Sequence, residues 1–246
     1  MKQTITWYGH GSWHFETKKG TKIFIDPFIT GNPSCHVTLK DIKEADLVCV
    51  THGHPDHIGD AIDLVKKTGA TLVTLPDIAL YCQKHGIPED DKGGSVHVGG
   101  SIKQKDVRIH AVYALHYSDI WGIETRVDPT AVMPGSGCCG FVFVPEDGYT
   151  VYFSGDTGVF GDMRLINRLY KPYVSVLPIG DKYTMGIREA SVACDFLGSK
   201  YVIPGHYNTF AKTSADPKEF KRLVMKEAPA TEVVILEKAG CKFELE

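Results

Sequence analysis

The sequence predicts an α/β protein in which two β-sheets pack face to face with helices outside. Two observations carry this reading. A β-rich stretch followed by strands alternating with helices occurs twice, once in each half of the 246 residues. The strands of the alternating parts are continuous apolar runs, the kind that parallel sheets bury on both faces. No Ser-, Gly- or Pro-rich linker separates the halves, so residues 1–246 read as one domain. No internal sequence repeat accompanies the doubled order.

The first half opens with "TITWYG", "SWHFET" and "KIFID", separated by the turns "GHG" and "TKKGTK", which predict an antiparallel meander. "DLVCVT" follows as a buried strand. Ile58, Ile62 and Val65 then fall at i, i+4 and i+7, predicting an amphipathic helix closed by Gly69. "ATLVTL" is another buried strand, and "PDIALYCQKHG" a short helix ended by Gly86.

From about residue 95 the β pattern returns in "SVHV", "VRIHAVYALH", "GFVFV" and "YTVYFSG", with "EDG" as a hairpin turn between the last two. The strand "YVSVLPI", a helix over roughly 186–197 and the strand "KYVIPG" follow. A second helix begins at Asp216, with Pro217 at its first position and Glu219 three residues after the cap. "TEVVILE" closes the chain as a strand. The one long irregular stretch is 117–139, "YSDIWGIETRVDPTAVMPGSGCC". Its length suits a functional loop or disorder; Ile120, Trp121 and Ile123 argue against disorder. It is expected to be a lid, the alternative being a surface loop or subunit contact.

Composition narrows the function classes. Hydrophobic residues make up 43% and aromatic ones 10%, ample for a sizeable core, and the formal charge is −3. Without a polybasic run, neither nucleic acid nor a membrane surface is an expected partner; a small-molecule substrate is, and a homo-oligomer stays open. No secretory signal or transmembrane-length apolar run is present, so the cytoplasm is the expected compartment. The seven cysteines (35, 49, 82, 138, 139, 194, 241) are odd in number and contain no C-x-x-C. Cys49 reads as a small buried hydrophobe, and Cys138 and Cys139 as unpaired thiols without an assigned role.

The chemistry concentrates in "THGHPDHIGD", residues 51–60, which gathers His52, His54, Asp56 and His57 directly behind an apolar strand. Other polar residues also follow apolar strands: His10, Asp26, His116, Asp156 and His206. Strand ends converge on one sheet edge, where α/β proteins place their sites, so the scattered residues can meet the cluster. Imidazole and carboxylate suit Zn, Mn or Fe, whereas Ca or Mg prefers oxygen donors almost alone. His52 and His54 can point at one ion and Asp56 and His57 at a second. Asp156, between Gly155 and Gly158, can bridge two ions ~3.5–4 Å apart.

The H-x-H-x-D-H cluster with a later lone His, Asp and His resembles the metallo-β-lactamase superfamily. "WYGHGSW", "IDPFITGNP" and "PIGDKYTMG" are similar to the branch containing L-ascorbate-6-phosphate lactonase and related metal-dependent hydrolases. The resemblance implies an αββα four-layer sandwich and a dinuclear site at its edge. It implies that His52, His54 and His116 hold one divalent ion, that Asp56, His57 and His206 hold the other, and that Asp156 bridges. The expected activity is hydrolysis of a small ester or lactone, with or without a phosphate, by a hydroxide that two ions share. Phosphodiester cleavage is the alternative within hydrolases, and a metal-binding redox or sensor module the alternative outside them. No G-x-S-x-G competes.

Asp26 can open an Asp-Pro turn or orient a metal-bound histidine. His10 can be a turn histidine or a substrate-facing acid, the second being favoured. His14, His36, His85, His97 and His110 read as structural, and Asp60 as a carboxylate on a helix face. Asp181, Lys182 and Tyr183 can reach substrate or belong to an ordinary strand-to-helix loop, and Lys182 and Arg188 can meet a phosphate, although two basic residues on a loop carry little weight.

Overall fold

The computed structural model describes residues 1–88 and 94–246. Its first sheet begins with the expected meander: β1 (Gln3–Trp7), β2 (Trp13–Glu16) and β3 (Lys22–Ile25) pair antiparallel. β4 (Leu47–Cys49) and β5 (Thr71–Val73) continue it in parallel. The second sheet repeats the scheme. β6 (Ser101–Gln104), β7 (Val107–Tyr113), β8 (Cys139–Pro145) and β9 (Val151–Phe153) run antiparallel. β10 (Val174–Pro178), β11 (Tyr201–Gly205) and β12 (Glu232–Val233) add in parallel.

The helices are α1 (Pro55–Ile58), α2 (Ala61–Thr68), α3 (Pro76–Lys84), α4 (Met163–Tyr170), α5 (Ile187–Leu197) and α6 (Pro217–Glu227). α2 packs on β4 and β5, and α5 on β10. The inner faces meet through aromatic side chains: Phe15 of β2 lies 5.6 Å from Phe143 and 6.2 Å from Phe153 between ring centroids, and Trp13 lies 6.2 Å from Phe153. Such pairs add to the burial of large apolar area. This is the αββα sandwich.

Four expectations need correction. The helix expected to run from Ile58 to Gly69 breaks at Gly59–Asp60, because Asp60 is not on a helix face. Its buried carboxylate accepts the backbone N–H groups of Ile29 (2.9 Å) and Thr30 (2.7 Å), pinning the loop after β3. "SVHV" forms no strand; only Ser95 makes a bridge, to Thr74, and the neighbouring strand is β6. "TEVVILE" contributes just the two residues of β12. The closing strand is β13 (Lys242–Leu245), which crosses back to pair with β1 in the first sheet. α6 begins as expected, Asp216 accepting the Lys218 N–H at 2.8 Å.

Candidate metal centre

Topology decides which strand ends meet. Two antiparallel steps separate β1 from β3, so these run the same way, and β4 is parallel to β3. The segments carrying His10, Asp26 and His52 therefore leave at one edge. In the second sheet β7 and β9 are likewise two antiparallel steps apart, with β10 and β11 parallel to β9. His116, Asp156 and His206 leave at one edge too, and the two edges coincide. The backbone hydrogen bond from His206 N–H to the His10 carbonyl, 2.9 Å, joins them. The Trp7 indole donates to that same carbonyl at 2.8 Å.

Three residues at this seam hold left-handed backbone: His10 (φ 55), Asp26 (φ 47) and His206 (φ 53). Non-glycine residues in this region are uncommon and cost ~1–3 kcal/mol each, a strain that clusters at functional sites. Gly155 (φ +58) precedes Asp156, and a Cβ there would lie 2.9 Å from Thr51. Gly158, expected to share in this turn, has ordinary backbone, and its N–H donates to the Leu115 carbonyl at 2.9 Å; a Cβ there would make only van der Waals contact.

Donor atoms converge in two groups. One nitrogen each from His52, His54 and His116 lie within 4.8 Å of one another, as do donors from His10, Asp56, His57 and His206. A third set, His52, His57 and Asp156, overlaps both. Asp156 is 3.4 Å from His57 Nε2, 3.7 Å from His116 Nε2 and 3.2 Å from His206 Nε2. All nine residues singled out from the sequence thus stand at one place.

Their polar partners are specific. Asp26 stands behind one of the converging donors: His57 Nδ1 donates to Asp26 Oδ2 at 2.8 Å. The same carboxylate accepts the Thr51 N–H (2.8 Å) and hydroxyl (2.7 Å). His10 is 1% exposed, so its ring does not reach the surface as a substrate-facing acid would. Its Nε2 donates to Asp56 Oδ2 at 2.8 Å, and Phe28 and Phe210 cover it edge-on.

The electrostatics suit a cation. Burial holds His52, His54 and His116 below the usual imidazole range, so they stay neutral and each keeps a lone pair that a cation can take. Burial would raise Asp56 and Asp156, yet the neighbouring histidines hold both well below the carboxylate range. Burial would lower His206, but the negative charges of Asp156 and Asp56 push it up to about 9. Nε2 of His57 and of His206 are buried without a hydrogen-bond partner. Buried polar atoms are ordinarily satisfied, and a divalent ion is the partner that imidazole Nε2 beside carboxylate fits best.

The segment 117–139 lies against this loop. Trp121 N–H donates to the Gly53 carbonyl (2.8 Å), and Gly53 N–H to Ser118 Oγ (3.0 Å). A Cβ on Gly53 would sit 2.5 Å from the Asp119 carbonyl, so only glycine fits between His52 and His54 here. Cys139 is buried, its thiol 3.4 Å from the Thr51 carbonyl, and burial pushes it and Cys138 up. Thr51 and Phe210 went unread in the sequence. Thr51 carried a signal, as the last residue of an apolar run before His52; Phe210 carried none.

Buried nitrogen and carboxylate donors at the common edge of an αββα sandwich define a metalloprotein of the α/β class. The chain belongs to the beta-lactamase superfamily, whose domain description matches residues 4–206. A UPF0173 metal-dependent hydrolase of Methanopyrus kandleri is 42% identical over 233 residues, 95% of this chain and 96% of that protein. One from Koribacter versatilis is 40% identical over 223 residues, covering 89% and 91%. A metallo hydrolase from the hyperthermophilic archaeon Ignicoccus hospitalis has a similar structure, with TM-score 0.83, 35% identity and full coverage of both chains. With these relatives the chain forms a family of metal-dependent hydrolases. Among the described residues no helix is long and apolar enough to cross a membrane.

Proposed function

We propose that the chain hydrolyses a small ester or lactone with two divalent ions, zinc, manganese or iron. His52, His54 and His116 would hold one ion, Asp56, His57 and His206 the other, and Asp156 would bridge them. The observation behind this is the reach of Asp156, whose carboxylate lies within 3.7 Å of His116 in one group and 3.4 Å of His57 in the other. Seven donors exceed the three or four that one ion takes.

Bound ions of this kind supply an acidified water near neutral pH and a Lewis acid for the scissile carbonyl. The protein's own residues hold and orient. Asp26 keeps the His57 proton on Nδ1 and leaves Nε2 to face inward. Thr51 gives its hydroxyl proton to Asp26 and accepts from His52 Nδ1 at 3.0 Å, turning His52 Nε2 inward as well. His10 restrains one oxygen of Asp56. The seven cysteines are free thiols, which supports a cytoplasmic setting.

The test is elemental analysis of protein purified without chelator, followed by a panel of esters, lactones and phosphodiesters with and without added metal. Two ions per chain and metal-dependent ester or lactone turnover are expected. Saturation at one ion overturns the dinuclear reading, and preference for phosphodiesters overturns the substrate class.

A further inference from the structure

The rim of the centre carries apolar side chains that holding metal does not require. Phe28 and Phe210 stand edge-on to the His10 ring, with centroids 6.0 and 5.4 Å away. Phe210 is nevertheless 44% exposed, so one edge seals His10 while the rest of its ring is open beside the Asp56 group. On the other flank Leu115, 48% exposed, immediately precedes His116 and packs beside Gly158, two residues from Asp156. Trp121, exposed and suspended from Gly53, lines a slot with Pro55, Ile58 and Ile62, which starts between His54 and Asp56 in the chain. Single exposed apolar residues are ordinary. Apolar side chains gathered around a buried polar centre mark a ligand surface.

A cation also stands near. Met185 N–H donates to the Thr157 carbonyl, which brings the 181–186 loop beside Asp156, and Lys182 on that loop has its Nζ 5.7 Å from the Tyr183 ring. One flexible lysine resting near an aromatic ring contrasts with the fixed forks and backbone amides that usually hold phosphate.

We propose that the scissile ester or lactone carries an uncharged apolar chain, seated against Phe210 on one side and Leu115 on the other. The inference rests on the hydrolytic reading above and narrows its substrate to the non-phosphorylated, apolar kind. Each methylene that leaves water contributes ~0.8 kcal/mol when fully buried, so a partly open rim gains about two- to fourfold per carbon.

Two measurements on the metal-loaded protein test it. In the first, kcat/KM is compared across p-nitrophenyl esters from acetyl to octanoyl, and between a neutral ester and its phosphorylated counterpart. It should rise with chain length until the rim is covered. Phe210→Ser should lower the octanoyl-to-acetyl ratio at least tenfold, and Phe210→Leu should keep most of it. In the second, N-methyloctanamide, which the enzyme would not cleave readily, is titrated calorimetrically. It should bind with a negative heat-capacity change that Phe210→Ser abolishes. Flat or falling dependence on chain length, preference for the phosphorylated ester, or binding indifferent to Phe210→Ser overturns the inference. If no ester is hydrolysed at all, the hydrolytic reading fails, and the amide titration alone decides whether the rim takes an apolar chain.

Discussion

His57 Nδ1 donates to Asp26 Oδ2 at 2.8 Å, with both side chains only 1% exposed. That buried bond fixes which nitrogen of His57 faces the centre, and it gives Asp26 a definite role behind one of the converging donors. Asp26→Asn separates charge from shape, since Asn tolerates the left-handed backbone that Asp26 adopts (φ 47). The variant should fold and lose metal affinity ~10–100-fold. Competition with a graded series of chelators measures this; wild-type retention would show that the bond does not matter to the metal.

Thr51 makes a related prediction on the other group. Its hydroxyl links Asp26 to His52, 2.7 and 3.0 Å away, so one residue sets the tautomers of two histidines. Thr51→Val keeps the volume and removes both bonds, leaving a buried imidazole N–H and a carboxylate oxygen short of a partner, at ~1–3 kcal/mol. Metal content should fall, and the midpoint of thermal unfolding should drop in the metal-loaded protein. Thr51→Ser, which restores the hydroxyl, should recover most of both.

Much of this centre was legible in the sequence because its residues follow apolar runs whose directions a meander and a parallel extension dictate. His52, His116 and His206 could be placed at one edge before any contact was known. Other features depend on partners far along the chain. Asp60 looks like a helix-face residue until its two amide partners at 29 and 30 appear. β13 is four residues of mixed polarity whose strand partner is β1, at the opposite end of the chain. α4 lacks a capping side chain at Asp162, so its start gave no signal. β6 alternates exposed and half-buried residues as an edge strand does, with too little apolar content to read.

The charges predict a pH signature for chelator-treated protein. His206, held up to about 9 by Asp156 and Asp56 against burial, has a folded pKa above its ordinary 6.5. Its contribution to stability is therefore complete below about 6.5 and lost as pH rises through about 9. The thermal midpoint of metal-free protein should fall between pH 7 and 9, while metal-loaded protein should stay level. Metal uptake at pH 7.5 should release protons, read as a buffer-dependent heat of binding. Equal midpoints at both pH values for metal-free protein would contradict the assignment.

The segment over Gly53 is latched to α3. Tyr81 accepts the Ile123 N–H at 2.6 Å and donates to Glu124 at 2.7 Å, and Glu124 also pairs with His85 at 3.0 Å. Tyr81→Phe removes both Tyr81 bonds and strands a backbone donor, a cost of ~1–2 kcal/mol. Hydrogen exchange at 120–126 should quicken about tenfold, with little change in the exchange of β8 and β9. Uniform acceleration across the fold would mean that Tyr81 supports the core and not the latch.

Asp156 gives the most direct test of a shared centre. Its carboxylate reaches His57, His116 and His206 at 3.2–3.7 Å and is buried. Asn keeps the shape, loses the charge and offers one good oxygen where Asp offers two. His52, His54 and His116 still converge without it, so one ion should remain of two. Losing a bridging carboxylate would act on the nucleophile more than on substrate binding, so kcat should fall at least a hundredfold (~2.7 kcal/mol) with a smaller change in KM. Metal counts and steady-state rates on one ester settle both points together. Two ions with full turnover would remove Asp156 from the bridge, whereas complete loss of metal would mean that the two groups bind as a single unit.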